Sequence, residues 1–139
     1  MSTAACATIL VVDDSVEITR MLQSILRQQG YRVVVSSEPA RCAALAQSES
    51  PDLVILDACM PTMDGWEVCR AIRDVSAVPI LVLTVLAEKQ YVERTYAVGA
   101  DAHMCKPFSI AVLLDKVRDL LRQGIHRVDA DLSEARQVE

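Results

Sequence analysis

Four short apolar runs stand out along the chain: residues 9–12 (ILVV), 33–35 (VVV), 53–56 (LVIL) and 80–83 (ILVL). Each is rich in β-branched residues and bounded by polar or turn residues, as expected of strands buried on both faces of a parallel sheet. Residues 102–105 give a weaker fifth candidate. The segments between them carry a helical period instead. Ile18, Met21, Leu22, Ile25 and Leu26 fall on one face of a helix that Gly30 ends. An alanine-rich helix is expected from Glu38 to Gln47, and a third carries Val68, Cys69, Ile72 and Val75 on one face. A fourth spans Ala87 to Val98, has only a weak apolar stripe, and is closed by Gly99. Leu113, Val117, Leu120 and Leu121 mark a fifth, ending near Gly124. Five alternations of strand and helix predict a single α/β domain: a central parallel five-stranded sheet with helices on both faces. Right-handed crossovers leave few topologies, of which the doubly wound order 2-1-3-4-5 is the natural one. The domain is placed at residues 8–123, and 124–139 reads as a polar C-terminal tail or the start of a linker.

Composition adds little beyond exclusions. A length of 139 residues with 52% hydrophobic content suits one domain with a substantial core. The formal net charge of -5 argues against bulk binding to nucleic acid or an anionic membrane surface. Cys6, Cys42, Cys59, Cys69 and Cys105 form no CxxC pair and no zinc-ligand spacing with His103 or His126, so free buried thiols are expected. The first residues resemble no signal peptide and no run of about 18 apolar residues occurs, so the expectation is a soluble, cytoplasmic protein.

In an open parallel sheet, ligands bind beyond the carboxyl ends of the strands. Here those ends carry Asp13 and Asp14, Asp57, Thr84, and Lys106 with Pro107. Asp13, Asp14 and Ser15 also suit the start of a helix, where they cap it. Three clustered acids, however, repel strongly without a cation. Hard oxygen donors with no His or Cys partner point to Mg2+. A carboxylate can take a phosphoryl group as an acyl phosphate. A Thr hydroxyl and a compact Lys ammonium both suit phosphoryl oxygens.

The chain resembles the receiver domains of bacterial two-component response regulators. The matching segments are ILVVDD at 9–14, LVILD at 53–57, MPTMDG at 60–65, PILVLT at 79–84 and GADAHMCKPF at 99–108, five motifs in order over nearly the whole chain. The resemblance implies a flavodoxin-like fold and a signalling switch rather than a conventional enzyme. It implies Asp57 as phosphoacceptor and Asp14 as a direct Mg2+ ligand. Asp13 would act mainly through water, and the Cys59 backbone carbonyl would be the third protein oxygen on the metal. Thr84 would bond a phosphoryl oxygen and move toward the site, and Lys106 would pair with the phosphoryl group. The same similarity implies a cis Lys106–Pro107 bond and a shaping role for Pro61 and Gly65 in the loop after the third strand. The implied partners are a sensor histidine kinase or phosphotransfer protein and a downstream protein or an output domain. Neither nucleic acid nor membrane is an expected partner of this chain.

Several positions depart from the usual pattern. The switch aromatic is replaced by His103, whose imidazole is smaller and can carry charge. That leaves two readings, a pH-sensitive coupling and a tolerated substitute. Cys59 and Leu86 flank the expected phosphoryl position, and both hold water poorly, which favours slow hydrolysis; oxidation at Cys59 is a further option. Phosphohydrolases with an aspartyl nucleophile usually carry a second acid where Cys59 stands. The output face is expected on helix 4, strand 5 and helix 5, with a homodimer possible there. Asp101 and Lys116 are candidates for pairing charges, while Val112 and Ala102 replace acidic residues. Tyr91, Val92 and Tyr96 are candidates for an exposed apolar surface or for packing on a neighbouring helix. An interaction module that has lost phosphorylation is the remaining rival, and it usually lacks one of the acids, the Thr or the Lys.

Overall fold

All five apolar runs form strands, and the three central ones bury both of their faces. The computed structural model describes residues 6–57, 65–85 and 88–123. Strands β1 (Thr8–Val12), β2 (Arg32–Ser36), β3 (Leu53–Asp57), β4 (Ile80–Thr84) and β5 (Ala102–Cys105) make one parallel sheet of order β2-β1-β3-β4-β5. Helices α1 (Val16–Gln28), α2 (Cys42–Ser48), α3 (Gly65–Val75) and α4 (Lys89–Ala97) connect them, and α5 occupies residues 110–123.

Alternate residues of the central strands point to opposite faces. Leu10, Val12, Val54, Leu56, Ile80 and Val82 pack with Cys42 and Ala46 of α2 and with Val68, Cys69 and Ile72 of α3. Ile9, Val11, Leu53, Ile55, Leu81 and Leu83 pack with Leu22 and Leu26 of α1 and with Leu113, Val117 and Leu120 of α5. β1, β3 and β4 are therefore apolar apart from Thr8, Asp57 and Thr84 at their ends, whereas the edge strands β2 and β5 are only partly buried.

Two helices end in the same way. Gly30 (φ 93°) and Gly99 (φ 106°) occupy the left-handed region, which a residue with a Cβ rarely adopts. After α1, the Gly30 N–H donates to Arg27 O and the Tyr31 N–H to Leu26 O; after α4, the Gly99 N–H donates to Tyr96 O and the Ala100 N–H to Thr95 O. Both glycines thus satisfy carbonyls that the helix leaves without partners. Two boundaries differ from the sequence pattern. The expected helix 38–47 begins as a tight turn, Pro39–Arg41, because the Arg41 N–H closes on Glu38 O, and becomes α-helical at Cys42. The fourth helix starts at Lys89, since Glu88 is extended and its carbonyl takes the first helical bonds from Tyr91 and Val92. Ala87 and Gly124 lie outside the described residues.

The described cysteines are free, but only Cys42 and Cys69 are buried. Cys6 precedes β1 and is exposed, and Cys105 ends an edge strand and is half-buried, which corrects the expectation of uniformly buried thiols. Burial pushes the Cys42 thiol up to about 12 and the Cys69 thiol to about 11, so both stay protonated and unreactive at neutral pH.

Candidate phosphoryl-transfer site

The sheet brings four chain segments together at its carboxyl edge. β1 and β3 are neighbours, so Asp13, just past β1, meets Asp57, the last residue of β3. β4 ends in Thr84 beside β3, and Lys106 follows β5 beside β4. Asp13 (2% exposed), Asp57 (5%) and Thr84 (2%) are buried, while Asp14 is exposed. Carboxylate oxygens of Asp13, Asp14 and Asp57 lie within 4.8 Å of one another. The Lys106 ammonium sits between two of these acids, with Nζ 3.3 Å from Asp13 Oδ2 and 3.4 Å from Asp57 Oδ2. Its backbone N–H donates to Thr84 O at 2.8 Å, which ties the β5–α5 connection to the end of β4. The Lys106–Pro107 bond is cis.

Both readings of the Asp13, Asp14, Ser15 run hold together. Ser15 caps α1, its Oγ accepting from the Ile18 N–H at 3.3 Å. Asp13 Oδ1 accepts from the Ser15 N–H at 2.9 Å, and its other oxygen faces Lys106. One carboxylate thereby braces the helix start and belongs to the acid cluster.

Electrostatics mark the cluster as strained. Burial raises the Asp13 pKa above the usual carboxylate value; the Ser15 bond opposes this, the charge of Asp57 adds to it, and Lys106 opposes it. Burial by itself would depress Lys106, but Asp57 and Asp13 outweigh it and hold the ammonium more firmly protonated than usual. Three carboxylates and one ammonium leave two formal negative charges. A set of hard oxygen donors with that residual charge fits a small divalent cation such as Mg2+. An acid whose pKa is raised on folding binds its proton more tightly in the folded state. Its contribution to stability is complete below the unfolded-state value, about 3.9, and is lost as pH rises through the higher folded-state value. Asp13→Asn is therefore expected to melt above the wild type in chelator at neutral pH, with the difference closing as the pH approaches 4 (about the unfolded value). Paired melting curves across that range check this, and a constant offset would refute it.

His103 lies on β5, half-buried, facing Tyr96 of α4. Its Nδ1 is 3.2 Å from the Tyr96 hydroxyl, and the two rings meet edge to face at 5.7 Å. Of the tyrosine and valine residues expected to line helix 4, Tyr91 stacks on Trp66 of α3, while Tyr96 stays exposed. Gly65 opens α3 and is buried. Cys59, Pro61 and Leu86 lie outside the described residues.

Asp101 has a role that the sequence pattern did not show. Its Oδ2 accepts from Arg73 Nη2 and from the Ile80 N–H, both at 2.9 Å. It is thus tied within the domain to α3 and to the entry of β4. Arg73 in turn donates to the carbonyls of Ser76, Val78 and Gly99. The only sequence signal for this network is an arginine next to the apolar face of α3.

A parallel sheet of this order, with three acids, a Thr and a Lys at one edge, defines a two-component receiver fold, and comparison with known proteins gives the same class. The chain belongs to the response regulator receiver domain family, whose sequence pattern it matches over residues 9–118. It is 40% identical over 115 residues to a probable transcriptional regulator, ycf27, of Cyanophora paradoxa, covering 83% of this chain and 48% of that protein. It is 38% identical over 117 residues to the alkaline phosphatase synthesis transcriptional regulatory protein PhoP of Bacillus subtilis, covering 84% and 49%. The chain thus spans about half the length of these curated relatives. Among solved structures it resembles the chemotaxis protein CheY4 of Vibrio cholerae, with a TM-score of 0.78, 34% identity, and coverage of 84% of this chain and 99% of that one. It also resembles the beryllofluoride-activated receiver domain of RstA from Klebsiella pneumoniae, with a TM-score of 0.78, 32% identity, and coverage of 83% and 98%.

Proposed function

We propose that this chain is a phosphorylation switch in which Asp57 accepts a phosphoryl group from a sensor histidine kinase or phosphotransfer protein. The observation that carries this reading is the Asp57 carboxylate itself: buried at the end of β3, clustered with Asp13 and Asp14, and 3.4 Å from the Lys106 ammonium. An Asp57 carboxylate oxygen attacks phosphorus, the bond from phosphorus to the donor breaks, and an acyl phosphate forms on the chain. Lys106 is placed to pair with the phosphoryl oxygens, and the Thr84 hydroxyl lies on the adjacent strand end to donate to one. Asp13, Asp14, Asp57 and the Cys59 backbone carbonyl are the proposed Mg2+ ligands. The ion supplies neutralisation of charge on the transferring phosphoryl group.

Movement of Thr84, read through His103, then biases the surface made by α4, β5 and α5 toward the form a partner recognises. That partner is a downstream protein, a second copy of the chain, or an output domain of a longer regulator. Residues 8–123 are the receiver in this reading, and 124–139 a tail or the start of a linker. The setting is cytoplasmic, in keeping with a kinase partner. Among the described residues no helix is long and apolar enough to cross a membrane. The chain catalyses only its own phosphorylation and dephosphorylation.

The test is intact mass after incubation with acetyl phosphate. A gain of one phosphoryl group with Mg2+, absent in chelator, is the expected result. No gain, together with no binding of Mg2+ or beryllofluoride, would overturn the reading and leave an interaction module.

A further inference from the structure

Helix α4 is held unlike the others. Where α1, α3 and α5 each bury an apolar stripe, α4 buries a single side chain, Thr95. Its mooring is polar and aromatic. The Thr95 hydroxyl donates to Tyr91 O, one turn back, at 2.9 Å, and accepts from the indole N–H of Trp66 at 3.0 Å. The Tyr91 ring stacks on Trp66 with centroids 6.0 Å apart and planes 12° from parallel. The Arg94 guanidinium lies 4.2 Å from the Trp66 ring centroid. One indole therefore gathers three residues of α4. Trp66 is buried and is the second residue of α3, the helix that begins just past the segment leading from Asp57.

A helix whose one fully buried side chain is a Thr, held otherwise by ring contacts to Trp66 and by Tyr96 against His103, is released at small cost compared with one that must expose a row of leucines. We propose that the grip of Trp66 on Thr95, Tyr91 and Arg94 is a conformational latch that sets how readily α4 shifts when Asp57 is phosphorylated. This rests on Asp57 being the phosphoacceptor, and it adds a second route from the site to α4, through α3, beside the one through Thr84 and β5. The latch belongs to the same conformation as the direct Lys106–Asp57 ion pair. A phosphoryl group on Asp57 takes over Lys106 and so favours the alternative. By linkage, a change that opens the latch must tighten binding of a phosphoryl analogue by the same factor that it shifts the conformational equilibrium. Trp66 is a positioning residue in this scheme and touches none of the reacting atoms.

Thr95→Val keeps the side-chain shape and removes the acceptor for the indole N–H. With Mg2+ and beryllofluoride as the phosphoryl analogue, its affinity is expected to tighten about fivefold, the scale of one lost hydrogen bond. Trp66 is the chain's single tryptophan, so its emission reports the latch directly. Wild-type emission should change on beryllofluoride binding, and the Thr95→Val protein should begin nearer the bound spectrum and change less. Trp66→Phe, followed by calorimetry, should tighten binding as well. If both variants merely melt earlier and bind beryllofluoride with wild-type affinity, Trp66 is ordinary packing and the inference fails. If the wild-type protein binds no beryllofluoride at all, the failure lies with the reading of Asp57, and the latch falls with it.

Discussion

Asp57→Asn is expected to take no phosphoryl group from acetyl phosphate under conditions in which the wild-type chain gains one. The amide is nearly isosteric with the carboxylate, so the strand end and its neighbours keep their places. Its oxygen lacks the charge and nucleophilicity needed to displace the donor. The same substitution removes one of three clustered negative charges. Metal-free protein should therefore become more stable by on the order of 1 kcal/mol, the size of one relieved repulsion at 4–5 Å after solvent screening. Mg2+ should stop stabilising it. Ligand that binds only the folded state adds roughly 1.4 kcal/mol at tenfold excess over its dissociation constant, and that increment depends on intact acids. Intact mass and melting temperature, each with Mg2+ and with chelator, give four readings. A variant that still gains the phosphoryl mass would place the acceptor elsewhere. One that keeps the full Mg2+ increment would take Asp57 out of the metal site.

Arg73→Ala is expected to be the most damaging substitution away from the acid cluster. Its guanidinium donates to Gly99 O from Nε (3.1 Å) and Nη2 (2.7 Å), and to Ser76 O (3.1 Å) and Val78 O (2.7 Å) from Nη1. Nη2 also pairs with Asp101 Oδ2, so one side chain joins α3 to the entry of β4 and the entry of β5. Truncation strands those carbonyls and leaves the largely buried Asp101 carboxylate with the Ile80 N–H but without its cation. Charged hydrogen bonds at such a site contribute more than exposed ion pairs do, and a loss of about 3 kcal/mol is expected. For a domain of this size that lowers the melting temperature by roughly 10 °C. Arg73→Lys should recover less than half, because an ammonium cannot reproduce the planar fork. Gly99 belongs to the same arrangement: a Cβ there would lie 3.1 Å from Arg73 Cγ, on a backbone with φ 106°. Denaturation of the two variants checks this, and a loss below about 1 kcal/mol for Arg73→Ala would show the network to be incidental.

Much of this protein is legible before any folding is considered. The runs at 9–12, 53–56 and 80–83 identify central strands because a strand covered on both faces must be apolar at every position. Asp57, Thr84 and Lys106 could be grouped from sequence because topology alone brings the carboxyl ends of parallel strands to one edge. Gly30 and Gly99 mark helix ends because few other residues tolerate the left-handed turn found there. These features obey local rules of period, backbone freedom and strand direction, and those rules operate on neighbours in the chain.

Only the tertiary structure decided the rest. Asp101 looks like a surface charge in the sequence, yet it is held by Arg73 from another helix. Thr95 looks like a polar interruption in a weak helix, yet its hydroxyl is buried beneath Trp66. The start of α4 and the tight turn before α2 depend on which carbonyl each N–H finds, not on propensity. Lys106 lies between Asp13 and Asp57 because β1, β3 and β5 end at one edge of the sheet. For Asp101, Thr95 and Lys106 the partners are far apart in the chain. A polar group's cost or benefit depends on the donor or acceptor that packing brings to it, and the sequence by itself does not record that partner.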